Sequence, residues 1–168
     1  VSAELVGISL ATEPGKAIYI PLNHKSQEGG LIAEKINQLD IKLVLSLLKP
    51  VLEDPSIIKI GQNIKYDMTI LFNAGDINIY PIHDTMLMSF ALDAGKHYGH
   101  GMDALSKTHL NISPISYSEV TGKGKDQVTF DYVSLDKALE YAAQDADITL
   151  RLYNFLNDRL IKEKMVSL

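Results

Sequence analysis

The 168-residue sequence contains no cysteine, so disulfide bonds and thiolate metal sites are excluded. The lack of cysteine is also compatible with a reducing compartment. No apolar run approaches the roughly 20 residues that a membrane-spanning helix needs. The first residues show no secretory signal pattern.

Positive charge is also scarce. Sixteen lysine and arginine residues stand against 21 aspartate and glutamate residues, which gives a net charge of −5. A protein that binds duplex nucleic acid mainly by neutralising its phosphates is usually basic. If this chain handles nucleic acid, contact must be local or metal ions must supply the positive charge.

The length fits one domain with one core. Hydrophobic residues make up 46% of the chain and charged residues 22%, as in ordinary globular proteins. The chain begins with Val1 rather than methionine. We therefore expect residues 1–168 to be a single domain, truncated at its N-terminus, from a longer protein.

The pattern of apolar and turn-forming residues predicts the order of the elements. Strand-like segments at 5–10 and 17–20 flank a turn and predict a hairpin, followed by a polar loop from Pro21 to Gly30. A helix is predicted from Asp40 to Glu53, with Leu43, Val44, Leu47 and Leu48 on one face. A strand at 57–60 and a helix at 64–74 follow, and the helix has Asn63 as N-cap and Gly75 as C-cap. The remaining predicted elements are a strand at 77–82, a helix from His83-Asp84-Thr85 to Leu92, a short helix at 103–110 and a long helix from Ser134 to Lys162. This order predicts a mixed α/β sheet with helices on its faces.

The long last helix carries an aspartate on its apolar side. Its polar stripe contains Asp147, and Asp145 lies about 200° around the helix from that residue. Tyr141 is one turn before Asp145 on the same face. A buried carboxylate needs a partner, which could be a hydrogen bond, a salt bridge or a metal ion.

Asp67 repeats this pattern in the helix after Asn63. Its neighbours at helical spacing include Ile64, Ile70 and Leu71, so it also lies on an apolar face. An acid in a first helical turn is favoured by the helix dipole, which offers a purely structural explanation. Two such aspartates converging from separate helices, however, suit Mg²⁺ or Mn²⁺ and reactions at phosphorus.

Two ordered motifs resemble those of a known nuclease superfamily. Residues 61–67 (GQNIKYD) resemble the second exonuclease motif of the DEDD superfamily, and residues 141–147 (YAAQDAD) resemble the third motif in its tyrosine variant. Residues 84–87, 102–105 and 122–127 are similar to the 3′–5′ exonuclease domain of bacterial DNA polymerase I. The resemblance extends from about Ala3 to Arg159.

The resemblance implies a ribonuclease-H-like fold and two divalent metal ions, Mg²⁺ or Mn²⁺, in the complete domain. Asp145 would bind one metal directly, Asp67 would serve the other, and Tyr141 would orient the attacking water. Gln62, Asn63 and Tyr66 would contact the single-stranded 3′ end of DNA. The implied setting is a bacterial cytoplasmic, nucleoid-associated polymerase with a polymerase domain in the same chain.

The family's first motif, Asp-x-Glu on a leading strand, would lie upstream of Ser2. We therefore expect weak or no metal binding by this chain and little or no exonuclease activity. Loss of that strand would also leave unpaired strand edges in the sheet. Two alternatives remain: an inactive exonuclease-like module that supports a polymerase, and an RNA-trimming exonuclease of the ribonuclease D type.

Two further patterns imitate functional sites. His97 and His100 have the spacing of metal ligands but lie in a polar loop without a third ligand nearby, so zinc is disfavoured. The glycine- and lysine-containing segment 122–125 lacks the spacing of a phosphate-binding P-loop. A solvated turn is the favoured interpretation of that segment.

Overall fold

The computed structural model describes residues 3–26 and 36–166. Its strands are β1 Gly7–Glu13, β2 Lys16–Pro21, β3 Lys59–Gly61 and β4 Ile82–Asp84. Its α-helices are α1 Ile41–Leu52, α2 Lys65–Gly75, α3 Thr85–Asp93, α4 Met102–Leu105, α5 Tyr117–Thr121 and α6 Leu135–Lys162. A π-helical turn at Ser106–Leu110 continues α4, and 3-10 turns lie at Gly124–Asp126 and Phe130–Tyr132. The predicted polar loop from Pro21 to Gly30 lies partly outside the described residues.

The predicted hairpin is confirmed. Strands β1 and β2 pair antiparallel from Gly7 opposite Pro21 to Glu13 opposite Lys16, with one irregularity near the turn. Gly15 in the turn has a positive φ of 83°, which glycine adopts without a steric penalty. Its N–H donates to Asp147 of α6 over 2.6 Å, so the hairpin is fixed to the last helix.

The second strand pair differs from the prediction. Strands β3 and β4 are parallel and only three residues each, with Lys59 opposite Ile82. The predicted strand at 77–82 is wrong over most of its length. Ile77 and Ile79 are 1% and 6% exposed and pack in the core, but they are outside the strand. Their apolar character reflects burial rather than strand pairing.

Among the described residues the strands form two separate two-stranded sheets. Helix α6 contacts β1, β2 and β3, so one helix supports both pairs. Many of the buried apolar side chains in the described ranges belong to two clusters. The first contains Leu45, Leu52, Leu71, Ile77 and Ile79, and the second contains Met88, Leu105, Ile148, Leu152 and Leu156.

Helix α1 begins and ends as predicted, although its buried face differs. The Asp40 carboxylate accepts from Leu43 N–H at the N-terminus, and Pro50 lies within the last turn without ending the helix. Leu43 and Leu47, predicted to face inward, are 52% and 67% exposed. The buried side chains are Val44, Leu45 and Leu52, because α1 packs on the first core cluster through the neighbouring arc of the helix.

Both predicted caps of α2 are also corrected. Asn63 does not cap the helix with its side chain; it has a positive φ of 57°, and its N–H donates to Asp84. Gly75 is the last helical residue, and Asp76 is the left-handed residue that follows it. The turn before α2 is instead held by Asp84, a residue distant in sequence, which local patterns do not reveal.

Helix α6 runs from Leu135 to Lys162, as predicted. The polar stripe of this helix is only partly a solvated face. Gln144 accepts from Ile115 N–H over 2.7 Å, and Asp147 binds the hairpin turn. The Asp147–Arg151 ion pair is present, with 2.7 Å between Nε and Oδ2. This stripe therefore fastens other elements to α6.

Candidate active site

Tyr141 and Asp145 lie together on α6, one helical turn apart. The Tyr141 hydroxyl approaches the carboxyl of Asp145 closely enough for hydrogen bonding to lower the pKa of that carboxyl. Burial acts in the opposite direction and is the larger effect. The pKa of Asp145 rises from 3.8 to about 6 through burial and, to a smaller extent, the negative charge of Asp103. The pair thus combines a poorly solvated acid with a neighbouring hydroxyl.

One oxygen of this carboxylate has no hydrogen-bond partner within residues 3–26 and 36–166. Oδ1 of Asp145 is buried and accepts no hydrogen bond in the described part of the chain. Buried polar atoms are almost always paired, and an unpaired carboxylate oxygen is expensive. A cation would satisfy this oxygen, whereas the ordinary structural explanations, a backbone hydrogen bond or a salt bridge, would each require a partner that this oxygen lacks.

Aromatic rings hold Tyr141 in place. Its ring contacts Phe130 at 5.7 Å and Tyr117 at 6.2 Å between centroids, both at steep angles. Burial, and then the charge of Asp145, raise the pKa of Tyr141 well above its ordinary value of 10. The phenol therefore stays protonated at neutral pH and can orient a neighbouring oxygen rather than act as a base.

Asp67 lies in the first turn of α2. By accessible surface it is exposed, yet its pKa is raised from 3.8 to about 6, mainly by burial and then by the charge of Asp84, against a hydrogen bond with its own backbone. The exposed surface of Asp67 and its raised pKa together fit a carboxyl in an open recess, where many protein atoms lie nearby but water still enters.

The two aspartates have different acidic neighbours. The charge of Asp84 acts on Asp67, whereas the charge of Asp103 acts on Asp145. Within residues 3–26 and 36–166, no group of three or more histidine, aspartate or glutamate side chains is placed to hold a metal ion. The convergence of Asp67 and Asp145 on one metal pocket therefore stays a prediction. Their oxygen donors suit Mg²⁺ or Mn²⁺, but two carboxylates do not form a cage.

Gln62 is fixed by internal hydrogen bonds. Its amide nitrogen donates to the carbonyl of His100 over 2.9 Å, and its amide oxygen accepts from the hydroxyl of the buried Thr85. His100 in turn is bonded through its ring to Ser89 and stacks on Phe90. A substrate contact by Gln62 must share or replace these bonds. The same contacts give His100 a structural role.

Asn63 and Tyr66, by contrast, face solvent. Asn63 is exposed, and Tyr66 is 51% exposed in the first turn of α2. Both side chains are accessible to a ligand that approaches the start of this helix. Their exposure is compatible with contact to a substrate, and this role stays a prediction.

Sequence reasoning overlooked the role of Asp84 in forming this region. Its two oxygens accept from the N–H groups of Asn63, Ile64 and Met86 at 2.9–3.0 Å. It therefore caps α3 and also fixes the turn that leads into α2. Its position directly before Thr85 indicated a helix start, but the bonds to residues about 20 positions earlier had no local signal.

Comparisons with known proteins agree with the motifs. The profile of a family described as 3′–5′ exonuclease matches residues 1–161. DNA polymerase I of Rhizobium leguminosarum is 44% identical over 178 residues, which cover 99% of this chain and 17% of the relative. DNA polymerase I of Pseudomonas aeruginosa is 44% identical over 160 residues, covering 94% of this chain and 17% of the relative. The chain thus spans about a sixth of these relatives' length.

Solved structures agree on the fold. The Brucella melitensis nuclease NrnC superposes with a TM-score of 0.68 at 21% identity, covering 97% of this chain and 68% of that one. A structure of NrnC with bound Mg²⁺ gives a TM-score of 0.66 at 22% identity, covering 97% of this chain and 68% of the other. The predicted ribonuclease-H-like α/β fold is confirmed. None of the helices in the described ranges is long and apolar enough to cross a membrane.

Proposed function

The chain belongs to the 3′–5′ exonuclease family found in DNA polymerase I, and from this premise we propose that it trims single-stranded or frayed DNA from the 3′ end. The reaction is hydrolysis of the terminal phosphodiester bond with release of a nucleoside monophosphate. In its parent polymerase the activity serves proofreading in the bacterial cytoplasm, in association with the nucleoid. The bacterial relatives, both DNA polymerase I, support this assignment.

The observation that carries the proposal is the buried Oδ1 of Asp145, which lies next to the Tyr141 hydroxyl and has no hydrogen-bond partner among the described residues. Together they match the third motif of the family residue for residue. In the complete domain Asp145 would hold one divalent metal and Asp67 would serve the second. Two bound metal ions would stabilise the attacking and leaving oxygens of an in-line displacement at phosphorus. The Mg²⁺ bound to NrnC supports this choice of ion.

The protein's own groups position the reactants. The protonated Tyr141 hydroxyl orients the attacking water beside Asp145, and its ring is kept in place by Phe130 and Tyr117. Gln62, Asn63 and Tyr66 bind the last nucleotides, with the exposed Tyr66 ring available for base or sugar contact. Only a few phosphates are contacted, which a protein of net charge −5 can tolerate.

The decisive experiment measures release of 3′-terminal nucleotides by the parent polymerase carrying Asp145→Asn. Loss of the carboxylate charge should reduce cleavage by at least roughly 10²-fold, because a metal ligand is removed. Asp147→Asn is the matched control: it lies two residues later on α6 but binds the hairpin turn and Arg151. Unchanged cleavage by the Asp145 variant would show that its assigned role is wrong.

The chemical class of the substrate needs a separate measurement. Matched single-stranded DNA and RNA oligonucleotides should be cleaved at different rates, with DNA preferred, by the parent polymerase. Preference for RNA would favour the ribonuclease D alternative. Because the described residues provide no group of three metal ligands, the 168-residue chain alone should be inactive or strongly impaired on both.

A further inference from the structure

The amide group of Gln62 is held at both of its ends. Nε2 donates to the carbonyl oxygen of His100 over 2.9 Å, and Oε1 accepts from the hydroxyl of Thr85. A backbone carbonyl only accepts hydrogen bonds, so the amide atom that faces His100 must be the nitrogen. The partners of the Gln62 amide therefore fix which way round it lies.

Both ends of this amide are held by one side of α3. Thr85 is the first residue of the helix, and Ser89 follows one turn later; both are 0% exposed. Ser89 is hydrogen-bonded to the ring Nδ1 of His100 over 2.6 Å, and the same ring stacks on Phe90 at 3.7 Å between centroids. Residues four apart lie on the same side of a helix. Thr85 thus holds Gln62 directly, and Ser89 holds it through His100.

The second strand pair places Thr85 beside Gln62. Strands β3 and β4 are parallel, with Gly61 opposite Asp84, and Gln62 and Thr85 are the residues that follow these two positions. The carboxyl ends of neighbouring parallel strands lie at one edge of a sheet, where ligands commonly bind. The Thr85 hydroxyl also lies 3.1 Å from the carbonyl oxygen of Gly61. One buried hydroxyl therefore contacts both the backbone before Gln62 and the side chain of Gln62.

A glutamine held in this way offers a hydrogen-bond donor to a ligand. The second N–H of Nε2 has no partner within residues 3–26 and 36–166, and Gln62 is half-buried rather than enclosed. A side chain that is already immobile loses little conformational freedom when it binds a ligand. In the reversed orientation the amide oxygen would face the ligand, and it would repel the phosphate oxygens of DNA.

We propose that Thr85 is a positioning residue for substrate binding, which orients the Gln62 amide so that Nε2 donates to an oxygen of the DNA backbone. The inference rests on the proposed function, in which Gln62 contacts the 3′ end. Thr85 is 0% exposed and does not touch the substrate itself. Its whole effect on DNA binding should therefore be transmitted through Gln62.

A double-mutant cycle in the parent polymerase tests this route, with no nucleoside triphosphates present. Gln62→Met removes the amide and keeps the length of the side chain. It should raise KM for release of 3′-terminal nucleotides from single-stranded DNA roughly tenfold with little change in kcat, because a hydrogen bond to a charged strand is lost. Thr85→Val replaces the hydroxyl with a methyl group and should raise KM roughly three- to tenfold.

Two further measurements separate positioning from a general effect on the fold. Thr85→Ser restores the hydroxyl and should keep KM near the wild-type value. In the Gln62→Met background, Thr85→Val should cause no additional rise, because the side chain through which it acts is gone.

Thr69→Val is the matched control. The Thr69 hydroxyl donates to the carbonyl oxygen of Lys65 within α2, so the same substitution removes a comparable bond away from Gln62. Its KM and kcat should equal those of the wild type. Circular dichroism verifies that each variant is folded. If Thr85→Val does not fold, Ser89→Ala takes its place in the cycle, because Ser89 reaches the same amide through His100.

Three results would overturn the positioning role. An equal rise in KM from Thr85→Val in the wild-type and Gln62→Met backgrounds would mean that Thr85 acts by another route. A rise for Thr85→Ser as large as that for Thr85→Val would mean that the hydroxyl is not the group responsible. An unchanged KM for Gln62→Met would remove the contact itself. In each case the wild-type polymerase still cleaves 3′ ends, whereas absence of that cleavage would contradict the proposed function and the positioning role together.

Discussion

At the scale of single residues, the Tyr141 hydroxyl has a role separable from that of its ring. Tyr141→Phe keeps the contacts with Phe130 and Tyr117 but removes the group that faces Asp145. We expect kcat for 3′-terminal hydrolysis by the parent polymerase to fall by roughly 10²-fold with little change in KM. Tyr153→Phe is the control, because Tyr153 also lies on α6 but its ring packs against His83 of β4. Equal kcat for wild type and Tyr141→Phe would contradict the assignment.

The raised pKa of Asp145 predicts how stability depends on pH. The folded chain binds the proton more tightly than the unfolded chain, so this residue's destabilising effect is absent below about pH 4 and develops as pH rises through its folded pKa of about 6. Asp67 acts in the same direction. Asp145→Asn should therefore raise the free energy of unfolding at about pH 7.5 by about 1–2 kcal/mol, reduced for partial solvent exposure.

Urea unfolding of the 168-residue chain at two pH values tests this expectation. The advantage of Asp145→Asn should shrink to near zero at about pH 4, where the wild-type carboxyl is protonated in both states. An equal advantage at both pH values would point to packing rather than to charge. Metal ions must be absent, because a bound cation would favour the ionised form.

The sequence predicted the relative positions of functional side chains only where those side chains belong to a single helix. The position of Asp145 relative to Asp147, and the turn between Tyr141 and Asp145, follow from helical geometry alone. The bonds of Asp84 to Asn63 and Ile64 depend on two segments meeting in space, and no local pattern encodes them. For the same reason, no sequence pattern can establish how closely Asp67 approaches Asp145, and that distance must be measured.

At the scale of helices, Asp84 should matter more than an ordinary N-cap. It accepts three backbone N–H groups, from two elements, whereas Asp40 accepts one. Asp84→Ala should lower the free energy of unfolding by about 2 kcal/mol, against about 1 kcal/mol for Asp40→Ala. Urea unfolding of both variants provides the comparison. Equal losses would mean that the bonds to the turn before α2 contribute nothing.

A buried ion pair joins the end of α3 to the end of α6. Arg159 donates to both carboxylate oxygens of Asp93 at 2.7 and 3.0 Å, and Asp93 is only 3% exposed. The Arg159 hydrogen bonds are the largest cause of the lowered pKa of Asp93, about 2, against the opposing effect of burial. This pair therefore stabilises the fold above about pH 4 and is lost as pH falls through 2.

Removing one partner of this pair should be costly. In the described part of the chain, Arg159→Ala leaves the buried Asp93 carboxylate with Tyr98 as its hydrogen-bond donor and with His109 Nε2 at 4.0 Å. About 3 kcal/mol of stability should be lost at neutral pH. Glu163→Gln changes the exposed second partner of Arg159 and should cost less than about 1 kcal/mol. Thermal unfolding of both variants distinguishes them. A similar small effect for each would show that the buried pair adds little.

The elements themselves were predictable where local signals stand at their ends. Asp40 marks the start of α1, and Asp54-Pro55 follows its end, so both bounds of this helix could be predicted from the sequence. The strand expected at 77–82 failed because Ile77 and Ile79 have the composition of a strand but pack as a buried connection. The exposed Leu43 and Leu47 misled the choice of buried face, since apolar character alone does not say which partner covers a helix.

At the scale of the whole molecule, metal affinity depends on how many ligands the chain brings together. Within the described ranges, Asp67 and Asp145 belong to no group of three candidate ligands. Calorimetric titration with Mn²⁺ should therefore detect only weak binding to the 168-residue chain, in the millimolar range, and much tighter binding to the parent polymerase. Asp145→Asn in the parent should remove most of that difference. Tight binding by the 168-residue chain would contradict this view.

The support of both strand pairs by α6 has a consequence for synthesis on the ribosome. The helix that underlies β1, β2 and β3 follows all three strands in the sequence and is therefore translated after them. Until residues 135–162 have left the exit tunnel, the two strand pairs of the nascent polypeptide lack the helix on which both pack. The apolar sides of the strands then face water. Consolidation must therefore come late, and earlier lengths should depend on chaperones to escape aggregation.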